Sequence, residues 1–321
     1  LNYRNLGRTG LKVSSICLGT MQFGWSADEA TSYSIMDKAV ELGCNFFDTA
    51  DVYSHWVEGN DGGVSEAIIG RWLQQSNLRR QDIVLATKVR GDMGSGPNEQ
   101  GLSRVHIMQA VEDSLTRLQT DYIDLYQVHW PDEETPLAET LATLDDLVRS
   151  GKVRYIGCSN YPAWLLMKSL WVSDVNDLAR FDSIQPHYNY VHRAEFERET
   201  EAVCADQGIG VIPYSPLAGG FLTGKYRRDT DVPDSVRADG IKSEYMNERG
   251  FSAIDKLAAV GIAHSATVAQ TAIAWILANP TVSSAIIGAN NADQLSDTMK
   301  GAGIELSAEE KSALDEMTAW E

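Results

Sequence analysis

Short runs of β-branched and aromatic residues alternate along the chain with stretches in which apolar groups recur every three or four positions. In DEATSYSIMDKAVELG, Ala30, Tyr33, Met36, Ala39 and Val40 have this helical spacing. Asp28 or Ser26 can cap the start of that helix, and Gly43 is placed to end it. GGVSEAIIGRWLQQ and LSRVHIMQAVEDSLTRL read as further helices. Strands are expected at SSICLGT near residue 14, NFFDTA near 45, DIVLATKV near 82, YIDLYQVHW near 122, VRYIGCSN near 153, SIQPH near 183, GVIPYS near 210 and SSAIIGA near 283. Strand and helix repeated without a linker imply parallel pairing through crossover helices. Eight such units close into a barrel, so the expected fold is α/β, a single (β/α)8 TIM barrel over residues 1–321. The opening LNYRNLGRTGLKVS predicts a β-hairpin before the barrel, with Arg8, Thr9 and Gly10 in its turn.

Two long polar segments, residues 90–102 and 223–249, follow expected strands. Both therefore belong to the face where barrel enzymes carry their active sites. Three strands end there in ionisable groups: Asp48 with Tyr53 just beyond it, Lys88, and His129. Strand alternation puts Lys88 on one face with Ala86 and Val84, His129 with Gln127 and Leu125, and Asp48 with Phe46. If those faces point inward, the four groups converge. A tyrosine ordinarily ionises near pH ~10. A lysine beside it favours the phenolate, and a carboxylate keeps that lysine charged and oriented, so Lys88 is expected to lower the pKa of Tyr53. An acid tuned in this way suits general acid catalysis. His129 is placed to hydrogen-bond and polarise a carbonyl oxygen.

Charge and composition narrow the partners. The 321 residues carry 45 acidic and 27 basic side chains, a net charge of -18, which repels phosphate backbones and anionic lipid. Nucleic acid and membrane are therefore not expected as partners; a small molecule is, and a homo-oligomer stays open. No apolar run reaches the ~18 residues of a membrane span, and the start lacks the order of a signal peptide, so a cytoplasmic protein is expected. Cys17, Cys44, Cys158 and Cys204 are scattered without a CxxC pair, against a disulfide framework or zinc knuckle.

The motifs GTMQFG, FFDTADVY, ATK, VHWPD, GCSN, PYSPLAGGFLTGKY and IIGA occur in order from residue 3 to about residue 300. In this the chain resembles the aldo-keto reductases, especially members with short C-termini such as aryl-alcohol dehydrogenases and potassium-channel β subunits. The resemblance implies a catalytic tetrad of Asp48, Tyr53, Lys88 and His129, with Tyr53 protonating the carbonyl oxygen as nicotinamide hydride reaches carbon. It implies further that Asp48, Ser159, Asn160 and Gln185 meet the nicotinamide end, with Tyr214 stacked on the ring. Ser215, Leu217 and Gly219 would form the pyrophosphate loop, with Lys225 in reach of the phosphates. Gly19, Thr20 and Met21 would line the cofactor beneath the first strand, and Gly288, Asn290 and Gln294 are further expected contacts.

The cofactor expected by resemblance is NADP(H). Relatives commonly place an arginine after the Gly-Ala pair to hold its 2′-phosphate, whereas this chain has Asn290 and Asn291, with Asp293 and Asp297 nearby. A neutral amide is a weak substitute for a charged planar fork, so NAD(H) stays open. Trp130, Trp56 and Phe23, with Tyr161, are candidate substrate walls for an aldehyde, ketone, sugar or alcohol. The segment GGFLTGK has phosphate-loop spacing, but Tyr226 stands where Ser or Thr is required. A rival function is a cofactor-binding regulatory subunit with little turnover, which the intact tetrad disfavours. Another is a metal-dependent hydrolase, which the six histidines disfavour because no HxH pair occurs and no metal is expected.

Overall fold

In the computed structural model, which describes residues 1–228 and 238–320, the chain opens with the expected hairpin. Strands β1 (Tyr3–Asn5) and β2 (Lys12–Ser14) pair antiparallel, with Tyr3 opposite Ser14. Arg8, Thr9 and Gly10 lie in the connection, which Leu6 N–H closes on the Leu11 carbonyl at 2.9 Å.

Eight parallel strands follow: β3 (Ile16–Gly19), β4 (Phe46–Asp48), β5 (Val84–Val89), β6 (Ile123–Val128), β7 (Val153–Ser159), β8 (Phe181–Gln185), β9 (Gly210–Val211) and β10 (Ala285–Ile287). Their order is β10-β3-β4-β5-β6-β7-β8-β9. Val211 bridges Val282 in parallel, and Ile286 N–H donates to the Pro213 carbonyl at 3.0 Å, so the last strand meets the first and the sheet closes as a (β/α)8 barrel. The strand expected across GVIPYS is short because Pro213 has no N–H with which to continue a ladder.

Alternation sorts the strand residues into two cores. Cys17, Phe46, Val84, Ala86, Leu125, Ile212 and Ile286 fill the barrel interior, closed at its N-terminal end by Leu6 and Val13 of the hairpin. Their neighbours Phe47, Leu85, Tyr126, Val128, Ile156, Cys158 and Ile184 face outward, beneath the helices. Each large apolar side chain buried in this way contributes roughly 1.5–3 kcal/mol.

The expected helices are present at Glu29–Glu41, Val64–Gln75 and Arg104–Leu118. Asp28 caps the first, accepting from Thr31 N–H at 2.8 Å, and Gly43 follows its end at φ +86, a left-handed conformation that glycine adopts without strain. All four cysteines are buried and free. Residues 90–102 form an irregular loop after β5. Of 223–249, residues 229–237 lie outside the described residues. The remainder includes a helix, Ala238–Glu244, after which Tyr245 returns to the barrel with its hydroxyl 3.5 Å from His187 Nε2. No single helix among the described residues is long and apolar enough to cross a membrane.

Candidate active site

The inward register of the strands delivers the four ionisable groups to one place. Asp48 pairs with Ala86 across β4 and β5, and Lys88 pairs with Gln127 across β5 and β6. Lys88 is fully buried, and its ammonium donates to Asp48 Oδ1 at 2.5 Å, the Thr49 carbonyl at 2.8 Å and the Tyr53 hydroxyl at 2.9 Å. All three of its protons are therefore used. Burial opposes its charge, but the Asp48 carboxylate and the Tyr53 hydroxyl outweigh that penalty and hold its pKa above the usual lysine range. Tyr53 sits on the loop after β4. The next residue, Ser54, adopts φ +75 and anchors the loop by donating to the Phe23 carbonyl at 2.6 Å.

The balance at Tyr53 differs from the expectation. Its pKa lies above the usual tyrosine value because burial dominates; Lys88 pulls it down and Asp48 pushes it up. Lys88 acts in the expected direction without prevailing. Tyr53 is thus held as a neutral hydroxyl at working pH, the form that has a proton to give.

His129 follows β6, with its N–H on the Val89 carbonyl at 3.0 Å and its ring edge-on to Tyr53 at 5.9 Å. Burial first, then the charges of Lys88 and Arg90, push its pKa well below the usual histidine value. It is therefore a neutral imidazole, able to donate one hydrogen bond without adding charge. Its Nδ1 is buried with no partner.

Gln127, visible in the sequence only as a facemate of His129, has a defined part. It donates to Asp48 Oδ2 at 2.9 Å, as does Gln185 at 2.9 Å, and Gln185 also donates to Gln127 Oε1 at 3.1 Å. Asp48, Gln127 and Gln185 come from β4, β6 and β8, alternate strands that build one interior layer of a barrel. The signal that could have found Gln127 was a polar residue at an inward position between Leu125 and His129.

Beyond β7 and β8 the expected cofactor residues form a connected set. Ser159 donates to the Gln185 carbonyl at 2.8 Å, Asn160 Nδ2 to the His129 carbonyl at 3.0 Å, and Tyr214 to Asn160 Oδ1 at 3.0 Å. One face of Tyr214 is covered by His187, at 5.1 Å and 9°. Ser215, Gly219 and Gly220 take φ values of +58, +66 and +109, folding the chain into a tight loop in which Gly219 N–H reaches Ser215 Oγ at 3.2 Å. Leu217 lies within this loop, and Lys225 is exposed past its end. Thr20 donates to the Asp48 carbonyl at 3.0 Å, so its hydroxyl is committed to the barrel, and Met21 is half-buried. Gly19 is required by packing, since a Cβ there would lie 2.7 Å from Ile286. Gly288 is exposed after β10. Asn290 accepts from Ser26 at 2.9 Å and donates its N–H to Gln294 Oε1 at 3.1 Å, while Asn291 caps the helix Ala292–Met299 by accepting from Gln294 N–H at 2.9 Å.

The candidate substrate walls divide. Trp130 is 43% exposed and stacks on His129 at 3.7 Å, and Trp56 is 41% exposed beside Tyr53 at 6.2 Å. Phe23 does not fit that role: it is wholly buried in the core, its ring used for packing behind the loop of Ser54. Tyr161 is also buried, edge-on to Phe181.

The fold brings together one set that spacing did not reveal, His187, His192 and Glu244, whose ligand atoms lie within 4.8 Å of one another. The two imidazoles are stacked at 4.0 Å and 21°. The arrangement backs Tyr214 with a column of rings.

Residues 15–319 match the family model of the aldo/keto reductase family. The chain belongs to this family. It is 41% identical to an uncharacterized oxidoreductase, YrpG, of Bacillus subtilis (96% of this chain, 93% of that protein). It is 36% identical to a probable voltage-gated potassium channel subunit beta of Arabidopsis thaliana (95% and 92%) and 34% identical to a versiconal hemiacetal acetate reductase of Aspergillus parasiticus (98% and 96%). This aldo-keto reductase is thus an NAD(P)-dependent oxidoreductase of small-molecule carbonyl or CH–OH groups.

Proposed function

We propose that the chain reduces an aldehyde or ketone, or oxidises the corresponding alcohol, with Tyr53 moving the proton at the carbonyl oxygen. The carrying observation is the buried ammonium of Lys88 held at once on Asp48, at 2.5 Å, and on Tyr53, at 2.9 Å. A nicotinamide dinucleotide, when bound, supplies or accepts the hydride. The residues fit such a group: Tyr214 is a flat platform backed by His187, its hydroxyl lies on Asn160 Oδ1, and Asn160 is joined through Ser159 to Gln185, a run of amide and hydroxyl groups suited to a carboxamide. Ser215, Leu217 and Gly219 would hold the pyrophosphate, with Lys225 beside it.

In the reducing direction the carbonyl oxygen rests between Tyr53 and His129. Neutral His129 donates a hydrogen bond that fixes and polarises it, and Tyr53 hands over its proton as negative charge builds on that oxygen. Lys88 then stabilises the phenolate left behind, and Asp48, held by Gln127 and Gln185, keeps the ammonium charged and in place. Trp130 and Trp56 give the entrance apolar walls. On the cofactor side, NADP(H) is used with a narrowed advantage over NAD(H), because Asn290, Asn291 and Gln294 are neutral and Lys300 already contacts Asp297 at 3.3 Å.

The test is Tyr53→Phe, which removes only the phenolic oxygen. Aldehyde-dependent NAD(P)H oxidation should fall by at least ~10²-fold while fluorescence quenching still reports cofactor binding. Near-full activity in the variant would overturn the assignment. A wild-type chain that binds cofactor but turns over no simple aldehyde would favour a cofactor-binding subunit instead.

A further inference from the structure

The end of β5 carries a second cation that the proton-transfer scheme does not use. The β5–β6 register pairs Lys88 with Gln127 and Val89 with Val128, so one more step sets Arg90 beside His129. Its charge reaches the His129 ring, where with burial and Lys88 it disfavours the imidazolium. On its other side, the following Gly91 lies against the Tyr53 loop, where an added Cβ would meet Val52 at 2.5 Å. Arg90 thus stands at the strand end beside His129, with the Tyr53 loop packed on the residue that follows it.

Three features separate it from an ordinary surface arginine. Its Nε is buried without a hydrogen-bond partner, and the guanidinium makes no ion pair or side-chain hydrogen bond among the described residues. Its backbone adopts φ +118, a sparsely populated region for a residue with a Cβ, held by Gly101 N–H on the Arg90 carbonyl at 3.3 Å. Its charge has no partner among the described residues, whereas Lys88 is held by Asp48, Tyr53 keeps its proton and His129 is neutral.

We propose that Arg90 is the anion-binding subsite of this pocket, and that the preferred carbonyl substrates carry a carboxylate. A guanidinium presents paired N–H donors in the spacing of a carboxylate, and exclusion of water around a buried Nε strengthens that contact. With the substrate carboxylate on Arg90, the adjacent Tyr53 and His129 hold the carbonyl oxygen. This deepens the reductase reading and rests on it for the position of the carbonyl.

The test compares 2-, 3- and 4-carboxybenzaldehyde with their uncharged methyl esters as substrates of the wild type, Arg90→Met and Arg90→Lys. For at least one isomer, wild-type kcat/KM should favour the acid over its ester by about tenfold or more. Arg90→Met should erase that ratio and Arg90→Lys should restore part of it. Because the readout is a ratio, a variant that is merely damaged loses both substrates together, and that result overturns the proposal. Equal acid and ester values in the wild type overturn it also. In parallel, benzoate and benzamide are titrated against the cofactor-bound protein by tryptophan fluorescence. Arg90-dependent binding of benzoate with no turnover of any aldehyde would keep the subsite and sink the reductase reading. Benzoate binding no tighter than benzamide would sink the subsite.

Discussion

Directly beneath the Tyr53 loop lies a carboxyl group whose burial should be measurable as stability. Asp51 is fully buried; its Oδ1 accepts from Val52 N–H at 2.6 Å and its Oδ2 has no partner. Arg117, whose charge acts on Asp51, is occupied by Glu66 at 2.7 Å, and the Tyr126 hydroxyl is buried and unpaired. Burial, then the charge of Glu66, raise the Asp51 pKa to about 7, against weaker pulls from the Val52 N–H, Arg117 and Lys88. An unfolded aspartate titrates near ~3.9. Between those values the folded chain keeps a proton that the unfolded chain has lost, so stability falls as pH rises. From a usual 3.8 to about 7 is about 3 units, and at 1.36 kcal/mol each the penalty reaches about 4 kcal/mol.

Asp51→Asn should remove this penalty, because an amide oxygen can still accept from Val52 N–H. Equilibrium urea unfolding of both proteins from pH 4 to 8.5 provides the assay. The stability of Asp51→Asn relative to wild type should climb by about 3 kcal/mol across that range, from under about 1 kcal/mol at the acid end. Titrations of groups distant from Asp51 are common to both proteins and cancel in the difference, leaving its own titration and its coupling to Glu66. A difference that stays flat with pH would mean that Asp51 is ionised throughout, and would refute the reasoning.

Lys88→Met leaves the Asp48 carboxylate buried with only Gln127 and Gln185 as donors, which should destabilise the fold by about 3–5 kcal/mol at neutral pH. Equilibrium urea unfolding of the variant against wild type measures that loss, and equal stability would contradict it. The residual activity should show a pH profile displaced upward, since Tyr53 loses the charge that lowers its pKa, and an unchanged profile would make Lys88 a purely structural cation. Asn290→Arg should tighten NADPH by about 1–2 kcal/mol, roughly 5- to 30-fold, with NADH nearly unchanged. Fluorescence titration of both cofactors decides this, and a wild type already preferring NADPH by a thousandfold would contradict it. Asn291 is the poorer site for the arginine, because its side chain caps the following helix and loss of such a cap costs about 0.5–2 kcal/mol.

Much of the fold is written in periodicity. Phe46–Asp48 and Val84–Ala86–Lys88 alternate because strand side chains do, and a closed parallel barrel has one interior for them to share, so the convergence of Asp48, Lys88, Tyr53 and His129 followed from local pattern plus closure. The hairpin and the Asp28 cap were equally local, each depending on residues a few positions apart. What depends on distant neighbours was out of reach. Phe23 looked like a pocket wall because it follows a strand end, but only the return of the Ser54 loop decides that it is covered. Gln127 gained its part from Asp48, 79 positions away, and Gln185 from a strand 137 positions from the same carboxylate. The direction of the Tyr53 shift is of the same kind. Sequence named the lysine that lowers the pKa, while the burial that outweighs it is a sum over every atom excluding water from the hydroxyl, a quantity that exists only once the chain is folded.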